Sequence, residues 1–266
     1  MKNIKNVLNR VKKESPKLYW IVIFHLLVAI SCIIGLFVDD RALMGVNVWI
    51  KPLKLAISGA VFILTIGYLT TVYPYSKLKK NIVNNLVSWT LLGEILIIVF
   101  QAFRGVQSHY NISTPLDGIL FGLMGILISV SVLIMVLFVI DTVRLKFDIA
   151  PSVRWALLLG WLVVLFGSWV GGQMIGQLAH NVGVADGGAG LPLLNWSTIA
   201  GDLRVAHFFG LHGIQIIPLF AIWLSKNGKL NSKRQLIAVI VFGLLYALWI
   251  GFTFYQAKQG LALIRL

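Results

Sequence analysis

The chain has 266 residues, 58% of them hydrophobic and 12% charged, with a mean hydropathy of +0.88, whereas a soluble domain is roughly 45–50% apolar and about 25% charged. This excludes a water-soluble globule, a disordered tail and a secreted disulfide scaffold. The net charge of +14 does not make the chain a nucleic-acid module, because the charge is scattered between long apolar runs.

In chain order, residues 1–17 come first. Ile4, Val7, Leu8 and Val11 follow i, i+3, i+4, i+7 spacing with Lys and Arg between them, and Pro16 ends the pattern. This predicts a short basic amphipathic helix on the inner leaflet of a membrane. A bilayer core of about 30 Å needs roughly 20 apolar residues in a helix. Seven stretches meet that need, at Leu18–Val38, Pro52–Val72, Ile82–Phe103, Leu116–Ile140, Val153–Leu178, Val205–Leu224 and Leu236–Tyr255. The first is too long for a signal-peptide core and is followed by Asp39, Asp40 and Arg41 rather than a small-residue cleavage site. The lone Cys32 lies inside it, which leaves no disulfide and no thiolate cluster.

Cytoplasmic loops retain Lys and Arg. Lys2, Lys5, Arg10, Lys12, Lys13 and Lys17 precede the first span. Lys77, Lys79 and Lys80, then Arg144, Lys146 and Arg154, then Lys226, Lys229, Lys233 and Arg234 fill the even-numbered connections, giving 16 of the 23 basic residues. The amino terminus is therefore expected inside and the carboxyl terminus outside, with the basic side against anionic lipid.

Close helix packing in lipid needs small residues. Gly118 with Gly122, Gly167 with Gly171 and Gly172 with Gly176 are the expected contacts, and Pro218 is expected to kink the sixth helix. The halves show no inverted repeat of the kind common in transporters.

An ionisable side chain inside a span costs at least about 2.5–3.5 kcal/mol, so its position is informative. Lys51, Lys54, Ser58 and Thr65 form one stripe on the second helix, and Glu94 and Gln101 share a face of the third, leading to Arg104 and Ser108. Beyond Arg104 the chain carries His109 and Asn111. Thr114, Pro115 and Asp117 then have the spacing of a helix start. The sixth helix opens with Asp202, Arg204, His207, His212 and Gln215. Almost all of the ionisable ones fall toward the predicted outer side, which favours a polar cavity open to one face. The connection from Asn181 to Ala200, rich in Gly, reads as a flexible loop or lid over its mouth.

Several chemistries fit this set. Lys51, Lys54, Gln101, Arg104, Asn111, Asp117, Asp202, Arg204 and Gln215 are candidate ligand-binding groups for a small polar or anionic ligand or a lipid headgroup. Glu94, His109, His207 and His212 are candidate catalytic groups of a membrane-embedded enzyme. A metal on His109, His207 and His212 is a weaker option, since His207 and His212 are five apart and diverge by about 140° on a helix. A haem would require His25 to pair with a residue such as His212. A secondary transporter or channel would use Glu94 as a proton-linked carboxylate. A structural or assembly subunit would use the charges as an ion-pair lock, with Lys54 on Glu94 and Arg204 on Asp117 or Asp202.

The strings Trp49-Ile-Lys51-Pro52-Leu-Lys54, Gln101-Ala-Phe-Arg104-Gly105-Val-Gln-Ser108-His109-Tyr110-Asn111 with Thr114-Pro115-Leu-Asp117, and Asp202-Leu-Arg204-Val-Ala-His207-Phe-Phe-Gly210-Leu-His212 resemble those of an uncharacterised family of bacterial seven-helix, multi-pass membrane proteins. The resemblance covers the second through sixth helices and implies an architecture and a bacterial cytoplasmic membrane, without an activity. Seven-helix alkaline ceramidase-like hydrolases are similar in architecture alone, since their pair of histidines four apart is missing here. The sequence thus predicts an all-α polytopic protein with residues 18–266 as a single transmembrane domain. No nucleic-acid partner is expected, and neither a cofactor nor an oligomeric state is specified.

Overall fold

The computed structural model describes residues 2–227 and 230–265. Met1, Leu266 and the loop lysine Lys229 lie outside the described residues. Nine helices and four two-residue strands form two compact units, residues 1–134 and 135–266, among the described residues. Six helices are long and apolar enough to cross a membrane, and a bent pair supplies a seventh if it is one span. Their outward surfaces carry many large apolar side chains, among them Phe37 at 83% exposure and Trp89 at 69%. So much exposed apolar surface calls for lipid rather than water, and the chain is an integral membrane protein.

The first unit holds α1 (Lys2–Glu14), α2 (Pro16–Val38), the β1–β2 hairpin (Ala42–Leu43, Val46–Asn47), α3 (Ile50–Val72), α4 (Lys77–Arg104) and the start of α5 (Pro115–Arg144). The predicted amphipathic segment is helical, and it also docks: Val11 is fully buried, at the place where a side chain on Gly67 of α3 would sit. Along α2, Leu18, Val22, His25, Ala29 and Cys32 recur at three- and four-residue intervals and are buried. The imidazole of His25 occupies the space beside Gly59, with its Nδ1 2.9 Å from the carbonyl of Ile21. This is the packing of a helix-interface histidine.

The second unit holds the rest of α5, α6 (Pro151–Gln177), β3 (Asn181–Val182), β4 (Gly201–Asp202), α7 (Leu203–Leu211), α8 (Gly213–Asn227) and α9 (Ser232–Lys258). Phe138 and the fully buried Trp161 stack 4.7 Å apart. Helices α6 and α7 cross at Gly167 and Gly210, where a Cβ on Gly210 would stand 2.6 Å from the Cα of Gly167. Only glycine allows backbones this close.

Three packing expectations are corrected. Gly118, Gly122, Gly172 and Gly176 have no described atom within 4 Å of an added Cβ, so of the predicted glycine contacts only Gly167 and Gly171 face a neighbouring helix. The sixth span bends not at Pro218 but at His212, where α7 and α8 meet at 46°. Helix α8 runs through the buried Pro218. The bend falls at the α6 crossing instead, where Gly213 rests on Val163 and the amides of Gln215 and Ile216 both bond to the carbonyl of His212. Lastly, the 181–200 connection is tied down rather than loose, as described below.

Candidate functional site

The predicted polar residues divide between the units. Lys51, Lys54, Glu94, Gln101, Arg104, His109, Asn111 and Asp117 belong to the first; Asp202, Arg204, His207, His212 and Gln215 belong to the second.

In the first unit, α2 ends at Val38 and the chain turns through the 39–49 hairpin. Asp39 anchors that turn: its carboxylate accepts from Arg41 Nε (2.9 Å) and Nη2 (2.8 Å) and from Trp49 Nε1 (2.8 Å). The Arg41 hydrogen bonds, joined by that of Trp49, hold the Asp39 carboxyl well below the usual carboxylate range. Arg41 also donates to the carbonyl of Phe103 (3.0 Å), fastening the hairpin to the end of α4.

Helix α4 closes on Gly105 in the left-handed conformation, φ 73°. Its amide bonds to Ala102 and that of Val106 to Gln101, the paired bonds of a glycine-terminated helix. The next helix starts as its spacing predicts. Asp117 N donates to Thr114 Oγ1 (3.2 Å), and Thr114 Oγ1 donates back to Asp117 Oδ2 (2.6 Å). The other oxygen of Asp117 accepts from Gln101 Nε2 (2.9 Å) and Arg104 Nη1 (2.5 Å). Asp117 is 1% exposed and Gln101 is fully buried, so α4 and α5 are joined by a hydrogen-bonded ion pair whose carboxylate is buried and whose guanidinium reaches the surface.

Asn111 has a local role: its Oδ1 accepts from the amide (3.1 Å) and hydroxyl (2.7 Å) of Ser113 and shapes the turn into α5. His109 meets the Ser108 hydroxyl at 3.0 Å and the edge of Tyr110. Lys51, with Pro52, Leu43, Val48, Ile98, Ala102, Val106 and Ser108, lines a narrow cleft of about 200 Å³. Lys54 is half-buried one turn deeper on α3. Glu94 stands apart from this network. At 1.5 Å per residue it lies ~15 Å along α4 from Arg104 and ~26 Å from Lys77, and its Oε1 is buried with no hydrogen-bond partner among the described residues.

In the second unit Asp202 caps α7, accepting from the amide of Arg204 (2.9 Å), and pairs with the Arg204 guanidinium through Nη2 (2.6 Å) and Nε (2.9 Å). Asp202 is 2% exposed and also accepts from Ser197 N (2.8 Å), while Arg204 reaches the carbonyl of Asn195. The far end of the same connection is held by Asp186. It accepts from the amides of His180 and Asn181 and lies 2.5 Å from His180 Nδ1. Burial works against the Asp186 charge, but the His180 imidazole and the two amides outweigh it and hold the carboxyl at about 2. These two carboxylates convert the glycine-rich connection into a strapped loop.

His207 Nδ1 lies 2.8 Å from the carbonyl of Gly167, and its ring fills the space beside Gly171. His212 packs on Phe208 at 4.5 Å and stands at the helix bend. Gln215 follows in the first turn of α8. Among the described residues no three His, Cys, Asp or Glu side chains gather as a metal-binding group.

Sequence reasoning missed Arg41, His180 and Asp186, which themselves lie in irregular segments that carry no periodic signal. It also missed a neutral network at the opposite end of the first unit. There, Asn84 Nδ2 donates to Ser15 Oγ (3.0 Å), and Ser15 meets Thr70 Oγ1 (3.2 Å). No family model matches this chain, and no curated protein or solved structure is significantly similar to it.

Proposed function

We propose that this integral membrane protein binds a small polar ligand in its first unit and that Glu94 takes up or gives up a proton as it does so. The observation that carries this reading is the buried Glu94 Oε1, which lacks a hydrogen-bond partner among the described residues. A carboxyl placed deep in an apolar helix is costly to keep, and such a group marks a ligand or proton site by default. Arg104 with Asp117 and Arg204 with Asp202, by contrast, are already satisfied and act as anchors at helix ends. The distribution of Lys and Arg supports a ligand approach from the extracytoplasmic side of a bacterial cytoplasmic membrane.

Two measurements test this. Infrared difference spectra taken across a pH titration in lipid should show a protonated-carboxyl band that Glu94→Gln removes. Proteoliposomes loaded with a pH-sensitive dye should report a lumenal pH change on addition of one member of a panel of small acids, amines and polyols. Glu94→Gln should abolish that change. A band unchanged in Glu94→Gln, or equal responses of the two proteins, would overturn the reading. Solute accumulation would make the protein a proton-linked transporter, and proton exchange without accumulation a binding protein.

A second reading, a structural or assembly subunit, is favoured by the two Arg–Asp pairs, because one joins the end of α4 to the start of α5 and the other holds the start of α7. It predicts that Glu94→Gln changes stability alone.

A further inference from the structure

At the end of the first unit opposite the hairpin, the α1–α2 junction meets the first turns of α4. Glu14, Pro16, Lys17, Asn81, Asn84 and Asn85 line an open cleft there. We propose that this cleft binds a phosphodiester headgroup that carries a terminal hydrogen-bond donor, an amine or a hydroxyl.

The acceptor for that donor follows from a chain of hydrogen bonds. The Thr70 hydroxyl donates to the carbonyl of Gly67 (3.1 Å), so the Ser15 hydroxyl donates to Thr70 and accepts from Asn84 Nδ2. This fixes the Asn84 amide and leaves its Oδ1 turned away from Ser15. Asn84 is 5% exposed and its Oδ1 has no partner among the described residues. An acceptor left unmet at such a site costs about 1–3 kcal/mol, and a ligand N–H or O–H removes that cost.

The anionic half follows from charge. Lys17 donates to Asn85 Oδ1 (2.6 Å), and Lys80 pairs with Glu14 (2.9 Å), which Arg10 also approaches (3.4 Å). An ammonium has three donors, so Lys17, which lines the cleft, retains capacity for a phosphate. Moreover, α4 begins with Lys77, Lys79 and Lys80 and has no acidic residue in its first turn. The cleft lies where the candidate membrane spans α2 and α4 start, and the ends of such spans meet lipid headgroups.

The test uses full-length protein in mild detergent and native mass spectrometry with added phosphatidylethanolamine, phosphatidylglycerol or phosphatidylcholine. Only the first two carry a terminal donor. Each should be retained about fivefold more than phosphatidylcholine, the worth of one hydrogen bond. Lys17→Glu should remove the preference, whereas Lys233→Glu, in the basic connection of the second unit, should keep it. Lys17 is exposed, so its replacement leaves the buried hydrogen-bond chain in place. Equal retention of all three lipids, retention of phosphatidylglycerol alone, or an unaltered preference in Lys17→Glu would overturn the proposal. Displacement by soluble glycerophosphoethanolamine would assign the headgroup alone as ligand and its failure the intact lipid; both support the phosphodiester chemistry.

Discussion

Arg104→Ala tests how the ends of α4 and α5 are held. The guanidinium bonds to Asp117 Oδ1 and Gln101 Oε1, each at 2.5 Å. Its side chain is 27% exposed against 2% for Asp117. Removing one partner of a fully buried pair costs about 3–5 kcal/mol. Arg104 reaches the surface, and Gln101 and Thr114 still donate to Asp117, so about 2–3 kcal/mol is expected here. That corresponds to a fall in unfolding temperature of roughly 4–12 °C. Asp117→Asn keeps the shape and loses the charge, and the double variant completes a cycle whose coupling should be about 1.5–2 kcal/mol. Thermal unfolding in mild detergent followed by circular dichroism measures all four proteins. Additive effects, with coupling below about 0.5 kcal/mol, would mean that the pair does not fasten the helices and would refute the reasoning.

Other expectations concern separate parts of the molecule. Gly210→Val places its Cβ 2.6 Å from the Gly167 backbone and should lower stability by about 1–3 kcal/mol, whereas Gly172→Ala, with no described atom within 4 Å, should stay within about 0.5 kcal/mol; thermal unfolding of the two side by side decides. Ser15→Ala strands the Asn84 amide and should cost about 1–3 kcal/mol, seen as faster hydrogen exchange in α1. The Asp186 carboxyl titrates at about 2 in the fold against 3.8 unperturbed. Its stabilisation of the loop is therefore complete above about pH 4 and lost as pH falls toward 2. Exchange at the His180 and Asn181 amides should rise across that window in the native protein, and Asp186→Asn should abolish this pH dependence.

The spans were legible because an apolar run of 20 residues has few alternatives, and the Thr114–Asp117 helix start was legible because its signal is local. Partner choice was not. Nothing in the sequence says that Arg104 meets Asp117, thirteen residues away, rather than the other carboxylates. Glycine spacing shows a small face but not whether a helix lies opposite, which is why Gly167 and Gly118 look alike on paper and differ in the fold. Pro218 misled because a proline's cost can be absorbed by a buried helix, while the bend answers to the crossing at Gly210 and Gly213. The Ser15–Thr70–Asn84 network was invisible because neutral polar residues at separations of 55 and 69 leave neither a charge pattern nor a period.

Those same separations impose an order on synthesis. Ser15 leaves the ribosome long before the two residues that hold its side chain, and at about 5–20 residues per second Asn84 follows ~3–14 s later. Glu14 likewise waits for Lys80. The nascent amino-terminal helix docks first on α3, through Val11 beside Gly67 and Arg10 on the carbonyl of Thr71, and the bonds from Asn84 and Lys80 close only when the start of α4 arrives. A ribosome stalled before α3 has emerged should therefore display this helix to protease, and one stalled well beyond residue 84 should not.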